Sequence, residues 1–408
     1  MAIIASIDPD RPADMAAARN RERRALGVAC GAHVLHDGYT DLIWLALPIW
    51  QAEFALSYAA VGLLRMIYTG TMASLQIPAS YVAGRLGAGP VLALGTGLSG
   101  LCYCLAGLGN GFWALVGALF IGGVGAATQH PIASALVTRI FTGARALTAF
   151  GTYNFAGDVG KVLLPLSATT MILIMPWRPA YGLLGLLGIV GAVAVFALTP
   201  RLPPEPAAAP PAPHDAAAAA VKARLRFGFY VLAAFGIADS MVRGAFFVLL
   251  PFLLIAKGAT VVTAGFALTL VFVGGAAGKL ACGWVARWAG VVAIIVVAQI
   301  VTAAGMIAVL LVPLDIAFVL LPLLGVVLNG VTTVIYGSVP DYTAPERRTH
   351  ALSVFYTLAI GSAAVAPPLS GLVGDLIGIS GALIVVAMLT LATVPLAFAL
   401  RKGSGSAP

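Results

Sequence analysis

The sequence predicts an all-α membrane protein with about twelve transmembrane helices in two six-helix halves. Hydrophobic residue types make up 61% of the 408 residues and charged types only 9%, whereas a soluble domain is about one quarter charged. Apolar stretches of about twenty residues recur along most of the chain, and each is long enough to cross a hydrocarbon core of about 30 Å. These stretches are continuous, which favours helices over the alternating strands of a membrane barrel.

The positions of the apolar stretches divide the chain into two halves joined by a linker, with a polar tail at each end. The stretch 200–225 is rich in Pro and Ala, a composition typical of an extended and poorly ordered linker. The tails are 1–25 and 401–408, and the halves are 26–199 and 226–400. The predicted spans are 26–50, 58–82, 91–109, 112–138, 148–172, 179–199, 227–250, 261–285, 291–312, 317–340, 351–374 and 380–400.

Basic residues lie mainly between the spans, on one predicted side of the membrane. Four Arg residues between positions 19 and 24 precede span 1, and the even-numbered connections carry most of the other Lys and Arg. The odd-numbered connections hold only Arg178 and Lys257. Because cytoplasmic loops are enriched in Lys and Arg, both termini are predicted to be cytoplasmic, in an inner membrane. The net charge of +8 then reflects topology, and nucleic acid is not an expected partner.

The two halves resemble each other in sequence. At an interval of 203 residues, Pro48 meets Pro251 and Gly87 meets Gly290. A near-constant interval between such matches indicates a duplicated unit. Two halves related by an axis along the membrane normal suit a rocking motion around a central site.

Twelve spans, a central linker and a duplicated half resemble the major facilitator superfamily of secondary transporters. The superfamily pattern G-x-x-x-D-R-x-G between spans 2 and 3 corresponds to SYVAGRLG at 80–87. Arg85 and Gly87 are kept, whereas Ser80 and Gly84 stand where the pattern has Gly and Asp. The resemblance implies that Arg85 and Gly87 belong to a cytoplasmic gating loop.

Within that superfamily, the first half resembles fosmidomycin-resistance-type exporters. HVLHD at 33–37 corresponds to their H-x-x-N-D in span 1, and GVGAATQHP at 123–131 to their G-x-G and HP in span 4. Ile132 stands where that family often has an acid. In span 5, GDVGKVLLP at 157–165 has charged residues at two positions that are usually uncharged. The resemblance implies efflux of an antibiotic-like anion.

Eight charged residues fall inside the predicted spans. A charge at the centre of a membrane helix costs ~2.5–3.5 kcal/mol, so these side chains should face the bundle interior or a wet cavity. Such residues commonly mark ion or substrate paths. They are Asp37, Asp41, Arg65, Asp158, Lys161, Asp239, Arg243 and Lys279.

An acidic stripe on span 1 is predicted to couple transport to protons. His33, Asp37 and Asp41 recur every four residues and therefore share one helix face. Asp37 lies near mid-span and is expected to carry the coupling proton. A histidine changes charge near neutral pH, which suits a relay. The proton-coupling candidates are His33, His36, Asp37, Asp41, Asp158 and Asp239.

The cations inside the spans predict a negatively charged substrate. Lys161 is the leading substrate-binding residue, and the further candidates are Arg65, His130, Tyr153, Asn154, Arg243 and Lys279. Asp158 and Lys161 are three residues apart, and Asp239 and Arg243 are four apart. Either pair could instead neutralise itself and serve assembly only. Both interpretations remain open at this level.

The histidines also allow a metal site formed by His33, His36, Asp37 and His130. Packing or a proton relay is favoured over it, because the cations of the spans would repel a bare metal ion. No cofactor is predicted: GGAAGK at 274–279 has too few residues between its glycines, and Leu280 stands where a phosphate loop needs Ser or Thr. No nucleophilic or zinc-ligand pattern indicates an enzyme.

These observations together predict a monomeric, multi-pass antiporter that contacts lipid, protons and a small-molecule substrate. The expected activity is proton-coupled export of a small amphipathic or anionic compound, such as a drug or antimetabolite, by alternating access. A transporter of a transition metal or metal chelate, a passive channel and an intramembrane enzyme are the alternatives. A channel would not need duplicated halves with buried acids.

Overall fold

The computed structural model describes residues 12–141, 143–200, 219–343 and 348–403. Residues 201–218 of the predicted linker lie outside the described residues, as do the outer parts of both predicted tails, 1–11 and 404–408. Within the described ranges the chain is helical and has no strand, which confirms the all-α prediction.

Thirteen α-helices and one 3-10 turn (Val339–Tyr342) make up these ranges. The α-helices are α1 (Pro12–Phe54), α2 (Tyr58–Leu86), α3 (Ala88–Leu108), α4 (Phe112–Ala126), α5 (Gln129–Ile140), α6 (Gly143–Ile172), α7 (Trp177–Leu198), α8 (Ala219–Ala256), α9 (Val261–Ala289), α10 (Val291–Leu311), α11 (Leu314–Ser338), α12 (Arg348–Ala392) and α13 (Val394–Gly403).

Eight segments of the described chain are long and apolar enough to cross a membrane, judged by length and composition. α1, α2 and α6 are not among them, and these helices carry most of the charges predicted inside the spans. One segment, Ala351–Leu400, has 50 residues, over twice the ~20 that one crossing needs. Gly378 interrupts its helix with a φ of 77°. A multi-pass membrane fold is confirmed, whereas these segments do not fix the number of crossings at twelve.

Two helix boundaries differ from the predicted spans for local reasons. α1 begins at Pro12, inside the predicted tail, because Arg, Glu and Ala favour helix even where no lipid surrounds them. The predicted span 112–138 is split into α4 and α5. Pro131 lacks the N–H group that would bond the carbonyl of Ala127, and the break at residues 127–128 includes that carbonyl.

The duplication predicted from sequence is visible in the backbone. α2 and α9 each have 29 residues, and α3 and α10 each have 21. Side-chain oxygens of Ser57 and Thr260 cap α2 and α9 in the same way. Gly87 and Gly290 follow with φ values of 91° and 81°, a conformation that glycine adopts without steric cost.

The hydrophobic cores are shared at one end of the bundle and separate at the other. The largest core joins residues of both halves, from Tyr39 of α1 to Phe246 of α8 and Leu383 of α12. Two smaller cores each stay within one half, one spanning residues 25–195 and the other 232–400. We call the end that holds the α1–α2 connection the closed end, and the end that holds the α2–α3 connection the split end.

Backbone contact between α2 and α12 seals the closed end. A Cβ atom added at Gly62 would overlap the carbonyl of Pro367, and one added at Gly371 would overlap the carbonyl of Tyr58. Asp375 of α12 accepts hydrogen bonds of 2.8 and 2.9 Å from the first two backbone N–H groups of α2. A carboxylate is favoured at such a helix N-terminus. The halves are therefore in direct backbone contact at this end.

The close approach predicts that Gly62→Ala destabilises the protein. The added methyl group must push α2 away from α12, and overpacking of this kind typically costs about 1–3 kcal/mol. Gly70→Ala on the same helix is the matched control, because nothing lies within 4 Å of a Cβ there. Thermal unfolding of the purified protein in detergent should show a lower midpoint for Gly62→Ala only. Equal midpoints for the two variants would contradict the close α2–α12 contact.

Candidate functional site

A buried cluster of three histidines and one acid lies between α1, α5 and α6. Asp37 Oδ1 is 3.4 Å from His33 Nε2 and 3.8 Å from His36 Nε2. His36 Nε2 is 3.3 Å from His130 Nε2 of α5. On the other side, Asp37 Oδ2 is 3.4 Å from the Lys161 amine of α6. The predicted stripe on span 1 therefore meets the HP stretch of span 4 and the Lys of span 5.

The backbone of α6 fixes the orientation of His33. The Nδ1–H group of His33 donates a 2.8 Å hydrogen bond to the carbonyl of Tyr153, whose ring stacks on the imidazole with centroids 4.1 Å apart. A Cβ at Gly157 would lie 2.6 Å from an Asp37 oxygen, so only glycine allows this approach. The Nε2 atom of His33 is consequently the nitrogen that faces Asp37.

The same cluster has the spacing of a metal site. Ligand atoms of His33, Asp37 and His130 lie within 4.8 Å of one another, and imidazole with carboxylate suits several transition metals. The amine of Lys161 is only 3.4 Å from Asp37, and its positive charge opposes a metal cation there. The position of Lys161 therefore disfavours a metal ion at this cluster.

A cavity of about 180 Å³ lies beside this cluster, between helices of both halves. α1, α2 and α6 form one wall, and α8, α9, α11 and α12 form the other. Its lining is Asp41, Trp44, Arg65, Thr69, Asp158, Lys161, Ser240, Arg243, Gly244, Phe247, Phe272, Gly275, Ala276, Lys279, Asn329 and Ala363. Six of the eight charges predicted inside the spans line this cavity.

Two lysines from opposite halves share one carboxylate in the cavity wall. Lys279 of α9 donates a short hydrogen bond to Asp158 Oδ1 of α6. Lys161 lies 3.8 Å from the same oxygen and closer to Asp37. The sequence suggested Asp158 and Lys161 as a possible self-neutralising pair. The structure instead gives Asp158 its nearest partner on the other half.

Arg65 lines the cavity without a carboxylate partner. Among the described residues, no carboxylate oxygen lies within 4.0 Å of its guanidinium, which donates a 2.6 Å hydrogen bond to the carbonyl of Thr40. The guanidinium carbon stacks 4.1 Å from the ring centroid of Trp44. Asp41 of α1, whose charge attracts Arg65, accepts a 3.0 Å hydrogen bond from Trp44 Nε1. Arg65 is thus held in place without a direct carboxylate contact.

Arg243 lines the cavity, and its partner Asp239 is buried behind it. The two are 2.9 Å apart, and Asp239 also accepts a 3.1 Å hydrogen bond from Gln299 of α10. Arg243 further donates to Thr332 of α11 and to Ser240. The pair predicted from its spacing is therefore present, with Asp239 outside the cavity lining.

Some predicted site residues lie outside the cavity. Tyr153 is buried against His33, and Asn154 is exposed on α6. His130 belongs to the buried cluster. Arg85 is exposed at the split end, 5.2 Å from the Tyr81 ring, and Gly87 forms the turn between α2 and α3.

Sequence reasoning missed the aromatic residues of the lining. Trp44, Phe247 and Phe272 line the cavity together. Trp44 follows Asp41 by three residues and so continues the stripe His33, Asp37 and Asp41. This spacing in the sequence could have predicted that Trp44 faces the cavity. Phe247 and Phe272 lie in apolar runs, where nothing in the sequence distinguishes a cavity residue from one that faces lipid.

The fold and the site define a multi-pass helical membrane protein with a charged cavity between duplicated halves. The family model of the Major Facilitator Superfamily matches residues 29–328 and 232–407. The chain belongs to the Major Facilitator Superfamily, and the protein is a membrane transporter. The resemblance read from its motifs is confirmed.

Individual relatives share low sequence identity with this chain. The Fosmidomycin resistance protein of Escherichia coli is 27% identical over 175 residues, which cover 41% of this chain and 42% of that relative. The match thus spans less than half of the curated relative.

A bacterial homologue of the human lysosomal transporter Spinster, in an inward-facing and occupied conformation, superposes with a TM-score of 0.77 at 16% identity, over 94% of this chain and 98% of that one.

A second solved structure has the same fold. The human organic anion transporter TETRAN superposes with a TM-score of 0.64 at 16% identity, covering 92% of this chain and 99% of that one. At these identities the two superpositions establish the shared fold alone.

The pairing in the cavity wall predicts a double-mutant cycle result. Asp158→Asn removes the nearest carboxylate of Lys279, and Lys279→Gln leaves Asp158 with only the longer contact to Lys161. The double change leaves neither charge of the pair without its partner. The coupling energy between Asp158→Asn and Lys279→Gln should be about 1–3 kcal/mol. Detergent unfolding curves of the single and double variants measure it.

Two further cycles serve as comparisons. The Asp158→Asn and Lys161→Gln cycle should give a smaller coupling, because Lys161 lies closer to Asp37. The cycle at the exposed pair Glu22–Arg145, 2.5 Å apart, should give a coupling close to zero. A larger coupling for Lys161 than for Lys279 would refute the assignment of partners.

Proposed function

We propose that the protein is a proton-coupled exporter of a small amphipathic or anionic compound, such as a drug or antimetabolite, working by alternating access. One observation carries this proposal. In the cavity between the halves, Arg65 has no carboxylate within 4.0 Å among the described residues, while the amine of Lys161 is shared with the buried cluster around Asp37. The cavity therefore combines a cation that has no direct carboxylate contact with a link to groups that can hold protons.

Arg65 is the proposed anchor for an acidic group of the substrate. A guanidinium presents several donors in a fixed fork that matches carboxylate or phosphate-type anions. The Thr40 carbonyl and the Trp44 ring orient it, and neither contact comes from a carboxylate. A cavity of about 180 Å³ holds roughly six water-sized groups, which favours a small compound.

Asp41 is the proposed position where proton and substrate compete. It lines the cavity, and among the described residues no cation lies within 4.0 Å of its carboxylate. A donor group of the substrate and a proton would use the same oxygen atoms, so the two bind alternately. Alternate binding at one site is what exchange of substrate for protons requires.

Asp37 is the proposed coupling acid, and Lys161 connects it to the cavity. The Lys161 amine lies 3.4 Å from Asp37 and 3.8 Å from Asp158. A proton on Asp37 removes the charge that holds this amine and changes the electrostatic potential of the cavity wall. His33, His36 and His130 offer a path on which a proton reaches Asp37. Protonation and occupancy of the cavity are thereby linked through one side chain.

Export is the direction that the relative favours, since its name describes resistance to fosmidomycin. We place the split end in the cytoplasm, because cytoplasmic ends carry the excess of Lys and Arg. Twelve crossings of an inner membrane would then leave both termini in the cytoplasm. The closed end has Arg178 and Lys257, and the split end has Arg85, Arg139, Arg145 and Arg287.

The difference between the two ends of the bundle supports the proposal of alternating access. The closed end is sealed by α2 and α12, and the split end keeps two separate cores. In the opposite state the α2–α12 contact would open, and the gating loop with Arg85 and Gly87 would meet the second half. A cation near helix C-termini or acids of that half would stabilise the closure.

The proposal predicts that Asp37→Asn abolishes proton-driven export and leaves membrane insertion intact. The amide cannot take up a proton, so the proposed link from the pH gradient through Asp37 and Lys161 to the cavity is lost. A drug-sensitive strain that expresses the protein identifies a transported compound from fosmidomycin and a panel of small acidic antimetabolites. Everted vesicles from that strain then measure export of the compound with and without an imposed pH gradient.

Asp315→Asn is the matched control, because Asp315 is an exposed acid at the start of α11. It should transport as the unchanged protein does. Full dependence on the pH gradient in Asp37→Asn would overturn the assignment of the coupling acid. Export that no pH gradient influences in any variant would overturn proton coupling itself.

A further inference from the structure

We propose that Trp44 is a positioning residue that links the charge of the anion site to closure between the two halves. The inference deepens the proposed function and rests on it for the role of Arg65 as the substrate anchor. Trp44 is nearly fully buried, with 4% of its surface exposed, and it lines the cavity.

Trp44 contacts three functional elements at once. Its Nε1–H donates a 3.0 Å hydrogen bond to Asp41. The guanidinium of Arg65 from α2 lies over its ring, 4.1 Å from the centroid. The ring also stacks on Phe247 of α8, with centroids 5.7 Å apart and an angle of 25° between the planes. One side chain therefore touches Arg65, an acid of the cavity and the opposite half.

The stack continues into the second half. Phe247 stacks in turn on Phe272 of α9, with centroids 5.1 Å apart at 19°. Arg65, Trp44, Phe247 and Phe272 thus form a column of planar groups from α2 to α9, and all four line the cavity. We call this set the aromatic column. It is a continuous contact between the halves at the level of the site.

The aromatic column lies between the cavity charges and the closed end. Trp44 precedes the end of α1 at Phe54 by ten residues, about 15 Å along the helix. Phe247 precedes the end of α8 at Ala256 by nine. Asp37 lies two turns further from the closed end than Trp44. Opening of the closed end must separate α1 from α8, and the Trp44–Phe247 stack has to break.

The contact between Arg65 and the Trp44 ring explains the link. The cation is attracted to the electron-rich ring face and so holds the ring in the orientation in which it stacks on Phe247. An anion bound to Arg65 competes for the same charge, so occupancy changes how firmly the ring is held. Arg65→Gln, which removes the cation, should therefore weaken closure in the same direction as loss of the ring.

The test is a distance measurement across the closed end that needs neither substrate nor gradient. Spin labels at Ala52→Cys on α1 and Leu376→Cys on α12, both exposed, are introduced after replacing the four native cysteines. Trp44→Leu should raise the ratio of long to short distances about two- to tenfold, the range expected for loss of one aromatic stack. Trp44→Phe keeps a ring and should restore most of the short-distance population.

Matched variants separate the proposed role from general destabilisation. Phe235→Leu on α8 removes a fully buried ring from the core that stays within the second half and should lower the unfolding midpoint without changing the distance ratio. Arg65→Gln should shift the ratio as Trp44→Leu does, and the double variant should add little. An unchanged ratio in Trp44→Leu, or an equal shift in Phe235→Leu, would overturn the inference.

Failure of the inference and failure of the proposed function are distinguishable. A shifted ratio in Trp44→Leu and Arg65→Gln, together with export that ignores the pH gradient, would refute proton coupling and leave the positioning role standing. Proton-driven export with an unchanged ratio in both variants would refute the positioning role alone.

Discussion

Burial of charge is the constraint on which the rest of this structure depends. Each charge at the centre of a membrane helix costs ~2.5–3.5 kcal/mol on insertion, and α1, α2, α6, α8 and α9 carry eight of them. The structure meets this cost with a chain of contacts that crosses both halves. Asp37 contacts Lys161, and Lys161 and Lys279 both contact Asp158. Lys279 is the last residue of this series of contacts and belongs to the second half.

A chain of this kind makes the two halves electrostatically dependent on each other. When the halves move, Asp158 cannot keep Lys161 and Lys279 at unchanged distances, because the two amines belong to different halves. A buried charge that loses its partner is destabilising unless a proton neutralises it or a counter-ion or the substrate pairs with it. Motion, protonation and binding therefore act on the same few side chains. The aromatic column and the α2–α12 contact also join the two halves, and they too must change when the halves move.

Much of this architecture was predictable because membrane helices obey strong local rules. Apolar length, the excess of Lys and Arg at one end, and the interval of 203 residues identified the helices and their duplication. Four-residue spacing placed His33, Asp37 and Asp41 on one face. The partners of Lys161 and Asp158 were not predictable in this way. Lys279 is 121 residues from Asp158, and no local spacing reports a contact between helices of different halves.

Proton-driven transport through this cavity is the central property to measure. The direct measurement uses purified protein in liposomes, with the membrane potential clamped at zero and a compound to which the protein confers resistance. We expect a pH gradient alone to drive accumulation of that compound against its concentration gradient, and a protonophore to stop it. Transport that runs only down the concentration gradient, at a rate that does not depend on the pH gradient, would contradict proton coupling and indicate a facilitator or a channel.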